Sequence, residues 1–226
     1  GKASPAITNV SSTPFVPSSS DSIVISANVN DPDGTIDSVN IFWSADTSMP
    51  ISSFTKGAMT LTAANTYGYT IPPQNDGDIV RYYIQATDND TLTSNFPITP
   101  AAAPEPNTAF IYVLDGGLTI MNINRSFDGS GTSPFDGQTV TVKGFVTSSD
   151  RNCDLGYVYI QDTSGTEHAG IALRGSLQLA ALMRGEEVEV TGTVSDGPGA
   201  PAYDFASISI SSITSTGNYH MVEPVE

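Results

Sequence analysis

The sequence predicts an all-β chain folded as two successive domains, a β-sandwich and then a five-stranded barrel with one short helix. Three observations predict it. Apolar and polar residues alternate with period two in short runs, Gly, Pro and Asp clusters separate those runs, and only one segment lacks β-branching and reads as helical. At 226 residues the chain is long enough for two ordinary domains, each with its own core. The expected division is 1–117 and 118–226.

Residues 22–29 form the first clear strand, ended by the turn formers Asp31-Pro32-Asp33-Gly34. Residues 36–44 follow, with Val39, Ile41 and Trp43 alternating, and Trp43, the single tryptophan, is the expected anchor between two sheets. Strands over 66–71 and 79–86 come next, the second placing Val80, Tyr82, Ile84 and Ala86 on one face. The proline-rich stretch 97–106 withdraws ladder donors. It is expected to interrupt the last sandwich edge, because residues 109–114 again read as a strand. Asp115-Gly116-Gly117 closes the domain.

A short apolar burst at Leu118-Thr119-Ile120 and a Gly/Ser-rich loop precede a second set of strands at 138–148, 156–161 and 169–174. The run 177–183, rich in Leu and Ala, predicts one short helix ending at Gly185. Strands at 187–194 and 205–213 complete the set. Three strands, a helix and two strands are the order of an OB-type barrel, with Gly144 and Gly192 placed where its long strands bend.

The net charge of −16 is divided evenly, −8 on each half, so neither half is a basic module. Such a field repels phosphate backbones and anionic lipid. No stretch approaches the roughly 20 apolar residues of a membrane-spanning helix, so no membrane insertion is expected. The one cysteine, Cys153, rules out an intrachain disulfide framework. Together with the abundance of Ser, Thr, Asn and Asp, this fits a bacterial protein that is secreted or held at the cell surface. Gly1 and the closing residues 222–226 read as the ends of a fragment of a longer chain, and a monomer is expected.

The motifs Asp31-Pro32-Asp33-Gly34, Tyr69-Thr70-Ile71-Pro72 and Val80 to Asp88 resemble the immunoglobulin-like or fibronectin-III-like modules of large bacterial surface and secreted proteins. The resemblance covers about residues 5–114 and implies an immunoglobulin-like β-sandwich. Val140-Thr141-Val142-Lys143-Gly144, Tyr157 to Asp162 and Gly185 to Val194 are similar to the OB-fold domains appended to secreted bacterial nucleases and Bacteroidetes-type surface proteins. That resemblance implies an accessory barrel and no catalytic centre of its own.

Two groups of candidate site residues follow. Asp31, Asp33, Asp88 and Asp90 lie in loops that a sandwich brings to one end, and four carboxylates there suit calcium, a cation bound by oxygen. The same residues are turn formers whose side chains bond to local amides. On the barrel face Arg151, Asn152, Tyr157, Tyr159, Arg174 and Tyr203 are the candidate ligand contacts. If Tyr157 and Tyr159 point outward they can stack bases or sugars, and if inward they are core. His168 beside Glu167, and His220, have no partner nucleophile in the pattern and read as surface residues. The expected function is a non-catalytic accessory or interaction module meeting a protein or glycan. The alternative is a fragment, binding single-stranded nucleic acid or glycan, of a secreted nuclease or glycan-active enzyme whose catalytic domain lies elsewhere.

Overall fold

Period-two patterning becomes antiparallel sheet in both halves of the computed structural model, which describes residues 2–100, 102–125, 132–148, 158–162, 168–175, 179–196 and 206–220. The chain is all-β. It divides into two units, Gly1–Gly117 and Leu118–Glu226. Among the described residues no helix is long and apolar enough to cross a membrane.

The first unit is a two-sheet sandwich. One sheet has the order β1 (Ala6–Thr13), β2 (Ile23–Asn30), β6 (Thr66–Ile71), β5 (Thr60–Ala63). The other has the order β4 (Thr55–Ala58), β3 (Ile36–Ser44), β7 (Ile79–Asp88), β8 (Thr93–Phe96), with β9 (Ala109–Tyr112) also on β7. The inward residues of β2 (Ile23, Ile25, Ala27, Val29) meet Val39 and Ile41 of β3 and Val80, Tyr82, Ile84 and Ala86 of β7 in one core. Each valine and isoleucine among them stabilises the fold by about 1.5–3 kcal/mol relative to exposure. Trp43 packs against this core half-buried.

β8 pairs with residues 84–87 of β7, and β9 with residues 79–82 of the same edge. The prolines between them therefore loop out of a single interrupted edge, where their missing donors cost no ladder bond. The outer face of this sheet carries an aromatic ladder. Phe42 and Tyr83, opposite each other in register, stack at 4.6 Å. Lys56 lies over Phe42 and Arg81 over Phe54, which itself leans on Tyr83. These ring faces are covered by neighbours and offer no open stacking platform.

In the second unit five strands close into a ring. They are β10 (Thr139–Ser148), β11 (Val158–Gln161), β12 (Gly170–Arg174), β13 (Glu186–Ser195) and β14 (Ser207–Tyr219), ordered β10-β11-β12-β14-β13 and back to β10. β12 and β14 run parallel, and the other pairs are antiparallel. Val140, Val142, Val158, Ile160, Ile171, Leu173, Val188, Val190 and Ile208 are buried. A Cβ on Gly192 would stand 2.4 Å from the Ser209 carbonyl oxygen and 2.9 Å from the Ile210 Cα, so the backbone of β14 approaches where only glycine fits.

The helix differs from expectation. Of the expected run, residues 179–185 are described, and among them Leu179–Ala181 is helical, as a single 3-10 turn. One turn fixes three residues for a single bond and does not propagate, and the buried Leu179 and Leu182 hold it in place. Among the described residues of this unit the α-helix is α1 (Ile120–Asn124), ahead of the ring, where a five-residue sequence is too short to show a stripe. Thr119 and Asn122 form a capping box at its start, and Ile120 and Ile123 are fully buried, Ile120 against Gly144 of β10.

Candidate functional site

The acidic loops of the sandwich meet because Ile36, at the start of β3, pairs with Asp88, at the end of β7. Residues 31–35 and 89–92 therefore leave adjacent strand ends. They are joined directly: the Asn89 amide donates to the Thr35 carbonyl at 3.0 Å, and the Thr35 amide donates to Asn89 Oδ1 at 2.9 Å.

Four carboxylates lie around this junction in four different circumstances. Asp88 is only 2% exposed, and its Oδ1 accepts from the amides of Asp90 and Leu92, both at 2.8 Å. Its Oδ2 is buried with no donor among the described residues. Asp31 accepts the Asp33 amide on Oδ1 at 3.3 Å, while its Oδ2 is buried without a donor among the described residues. Asp33 is exposed and receives the Ala3 amide at 3.1 Å. Asp90 is ion-paired with Lys2. Burial first, and then the Asp33 and Asp88 carboxylates, hold the Asp31 carboxyl above its ordinary range against the opposing Asp33 amide. The hydrogen bond to Asp90, with the charges of Asp90, Asp33 and Asp88, raises the Lys2 ammonium.

The four expected residues thus share one end of the sandwich but do not converge on one point. Among the described residues no three His, Cys, Asp or Glu side chains form a group able to hold a metal ion. Two neighbours missing from the expected set matter here. A Cβ on Gly34 would stand 2.4 Å from Asn89 Oδ1 and 2.5 Å from Asp31 Oδ2. The glycine closing the Asp-Pro-Asp-Gly turn was the visible signal of that close approach.

On the barrel, Tyr159 settles its own orientation. Val158 and Ile160 on either side are buried and lie opposite Leu173 and Ile171, so Tyr159 faces outward, half-buried, across from Ala172. Arg174, also half-buried, shares that outer face two residues along β12. Arg151, Asn152, Tyr157 and Tyr203, like Cys153 and Glu167, lie outside the described residues. The two histidines serve the fold. His168 sits in a left-handed turn and accepts Asn124 Nδ2 on its carbonyl at 2.8 Å, and His220 meets Phe145 edge to face at 5.6 Å.

Several other carboxylates among the described residues brace turns and loops. Asp21 accepts the Ser18 amide and hydroxyl, Asp46 those of Ser48, Asp78 the Asn75 amide, and Asp115 the Ser19 amide and hydroxyl. In the second unit Asp136 accepts the Asp196 amide, and Asp196 the Ser133 amide. Hydroxyls pair across strands in the same way, Ser11 with Ser26 at 2.9 Å, Thr66 with Asn28 at 3.0 Å and Thr141 with Thr191 at 2.9 Å. No protein-family model matches the chain, and no curated protein matches it.

Proposed function

We propose that this chain is a non-catalytic accessory or interaction module of a larger bacterial protein that is secreted or displayed at the cell surface. The observation that carries this reading is where the reactive residue types go. Carboxylates at 21, 46, 78, 115, 136 and 196 accept turn amides, and hydroxyls at 11, 26, 66, 141 and 191 pair across strands. Side chains engaged in this way hold loops and sheet faces and are poorly placed to move protons or attack a substrate. The single cysteine and the immunoglobulin-like and OB-like patterning support the setting outside the cell.

One observation favours a second reading, in which the barrel binds single-stranded nucleic acid or glycan for a catalytic domain elsewhere. Tyr159 and Arg174 share the outer face of β11 and β12, an aromatic and a cation on the surface that such barrels use. Binding of the 226-residue chain to oligo(dT) and to a panel of oligosaccharides, measured at low and physiological salt, separates the two. The module reading predicts no saturable binding to either. Saturable binding that is lost in Tyr159→Ala and Arg174→Ala establishes the second reading instead.

A further inference from the structure

No strand of the sheet β1-β2-β6-β5 contains a charged residue, although the whole chain carries −16. A soluble surface ordinarily mixes charges of both signs. Because Ile23, Ile25, Ala27 and Val29 of β2 point into the core, the alternate residues form an outer face, filled mainly by Thr, Ser and Asn. β2 and β6 pair without a bulge from Ile23 to Asn28, so the face is continuous. Thr8, Asn28 and Thr66 stand in one row across three strands, and Thr13, Val24 and Thr70 in another. The two rows lie about 13 Å apart, at ~3.3 Å per residue. Lateral bonds hold the side chains in place: Ser11 with Ser26 at 2.9 Å, and Thr66 Oγ1 donating to Asn28 Oδ1 at 3.0 Å. Thr60 and Thr62 donate to the carbonyls of Gly68 and Thr66 at 3.4 and 3.1 Å. Their rotamers are therefore fixed before any ligand arrives, and each donating hydroxyl keeps its lone pairs.

We propose that this face adsorbs to the surface of a packed, uncharged polysaccharide. Charge selects that occupant. Nucleic acid and anionic lipid are repelled by an acidic chain, and the outward residues of these strands offer them neither a cation nor an aromatic ring. A protein partner is anchored by aromatic residues, Met or Arg, and Ser is depleted where such partners meet. Sugar hydroxyls both donate and accept. They meet the threonine oxygens as donors, and the Nδ2 groups of Asn28 and Asn30, whose Oδ1 atoms are already bonded, as acceptors. Val24, 44% exposed, and the threonine methyls meet the C–H faces of the rings. Flatness selects packed chains over a free oligosaccharide, because one chain crosses a single row while a layer of chains engages all the rows together. The proposal rests on the module reading and names the partner class of that module. It agrees with that reading's expectation that free oligosaccharides do not bind.

Depletion of the 226-residue chain from solution by microcrystalline cellulose and by chitin powder, at low and at molar sodium chloride, tests it. Saturable adsorption to at least one of the two solids is expected, and it does not weaken with salt because no charge takes part. Thr8→Glu and Thr70→Glu, at exposed positions of β1 and β6, each lower the adsorption constant at least about tenfold. Thr139→Glu, the same change at an exposed strand position of the second unit, leaves it unchanged. Should Thr8→Glu or Thr70→Glu fail to fold by circular dichroism, the other decides. Adsorption to neither solid overturns the proposal, as do adsorption that weakens at molar salt and full adsorption in either folded variant. An equal loss in Thr139→Glu marks general repulsion of a more acidic chain and also overturns it. Failure on the solids leaves the module reading standing with a different partner. Binding of soluble ligand that is lost in Tyr159→Ala and Arg174→Ala overturns that reading itself, so the two failures are told apart.

Discussion

Asp88 combines two roles that a single substitution can separate. Its Oδ1 ties down the turn after β7 through two amides, while its Oδ2 is buried with no donor among the described residues. Asp88→Ala leaves both amides without their acceptor and is expected to cost about 1–3 kcal/mol of stability. Asp88→Asn keeps an acceptor and removes the buried charge, so it is expected to stay within about 1 kcal/mol of wild type. Urea unfolding followed by Trp43 fluorescence, which reports on the same unit, measures both. Equal losses in the two variants would mean that the charge, not the turn bonds, is what the fold requires. Asp31 adds a pH dependence opposite in sign to that of Asp21 and Asp46. Its folded carboxyl lies above the ordinary value of 3.8, so the folded state binds that proton more tightly, and the group favours folding below 3.8 and loses that contribution as pH rises through the raised value. Asp21 and Asp46 are held low, first by the hydroxyls of Ser18 and Ser48, and the stability they add above 3.8 is lost as pH falls through their lowered values.

Among the elements, the strands with clean alternation were legible from the residues. β3 and β6 begin and end where the pattern does, and β7 extends only two residues further. The elements that escaped notice share physical causes. β1 carries a bulge between Thr8 and Ser11, with Asn9 at a φ of 49°, and the phase shift breaks its alternation. β4, β5 and β8 are four-residue strands, largely exposed in β4 and β5, where one buried face never develops. In the run at 177–183 the described residues hold one 3-10 turn at Leu179–Ala181, since propensity without length does not make an α-helix. Gly192 supports the ring by a different route, through the space it leaves for β14. Gly192→Ala forces a Cβ against backbone atoms that cannot swing away, and a loss of about 2 kcal/mol or more is expected. Gly116→Ala, with nothing within 4 Å of the new carbon, is expected to be nearly neutral. Thermal melts of the two variants make the comparison, and similar midpoints would show that β14 can shift to make room.

Across the whole molecule, a charge of −16 shared evenly between two β units is compatible with folding because so many carboxylates sit at turns, where amides and hydroxyls meet them. That the two acidic loops share an end was readable from the strand order. Their detailed partners were not, since the Lys2 pairing with Asp90 spans 88 residues and the approach of Asn89 to Gly34 spans two turns. The outward direction of Tyr159 became readable only once Val158 and Ile160 were placed inside the ring.

The measurement bearing most directly on this arrangement is an NMR titration of the side-chain carboxyl carbons across the acidic range. With turn and strand bonds engaging them, Asp21, Asp46 and Glu187 titrate below their ordinary values, and burial holds Asp31 above its own. Four groups titrating together at ordinary values would contradict it, because the side chains would then be free in solution and available for chemistry.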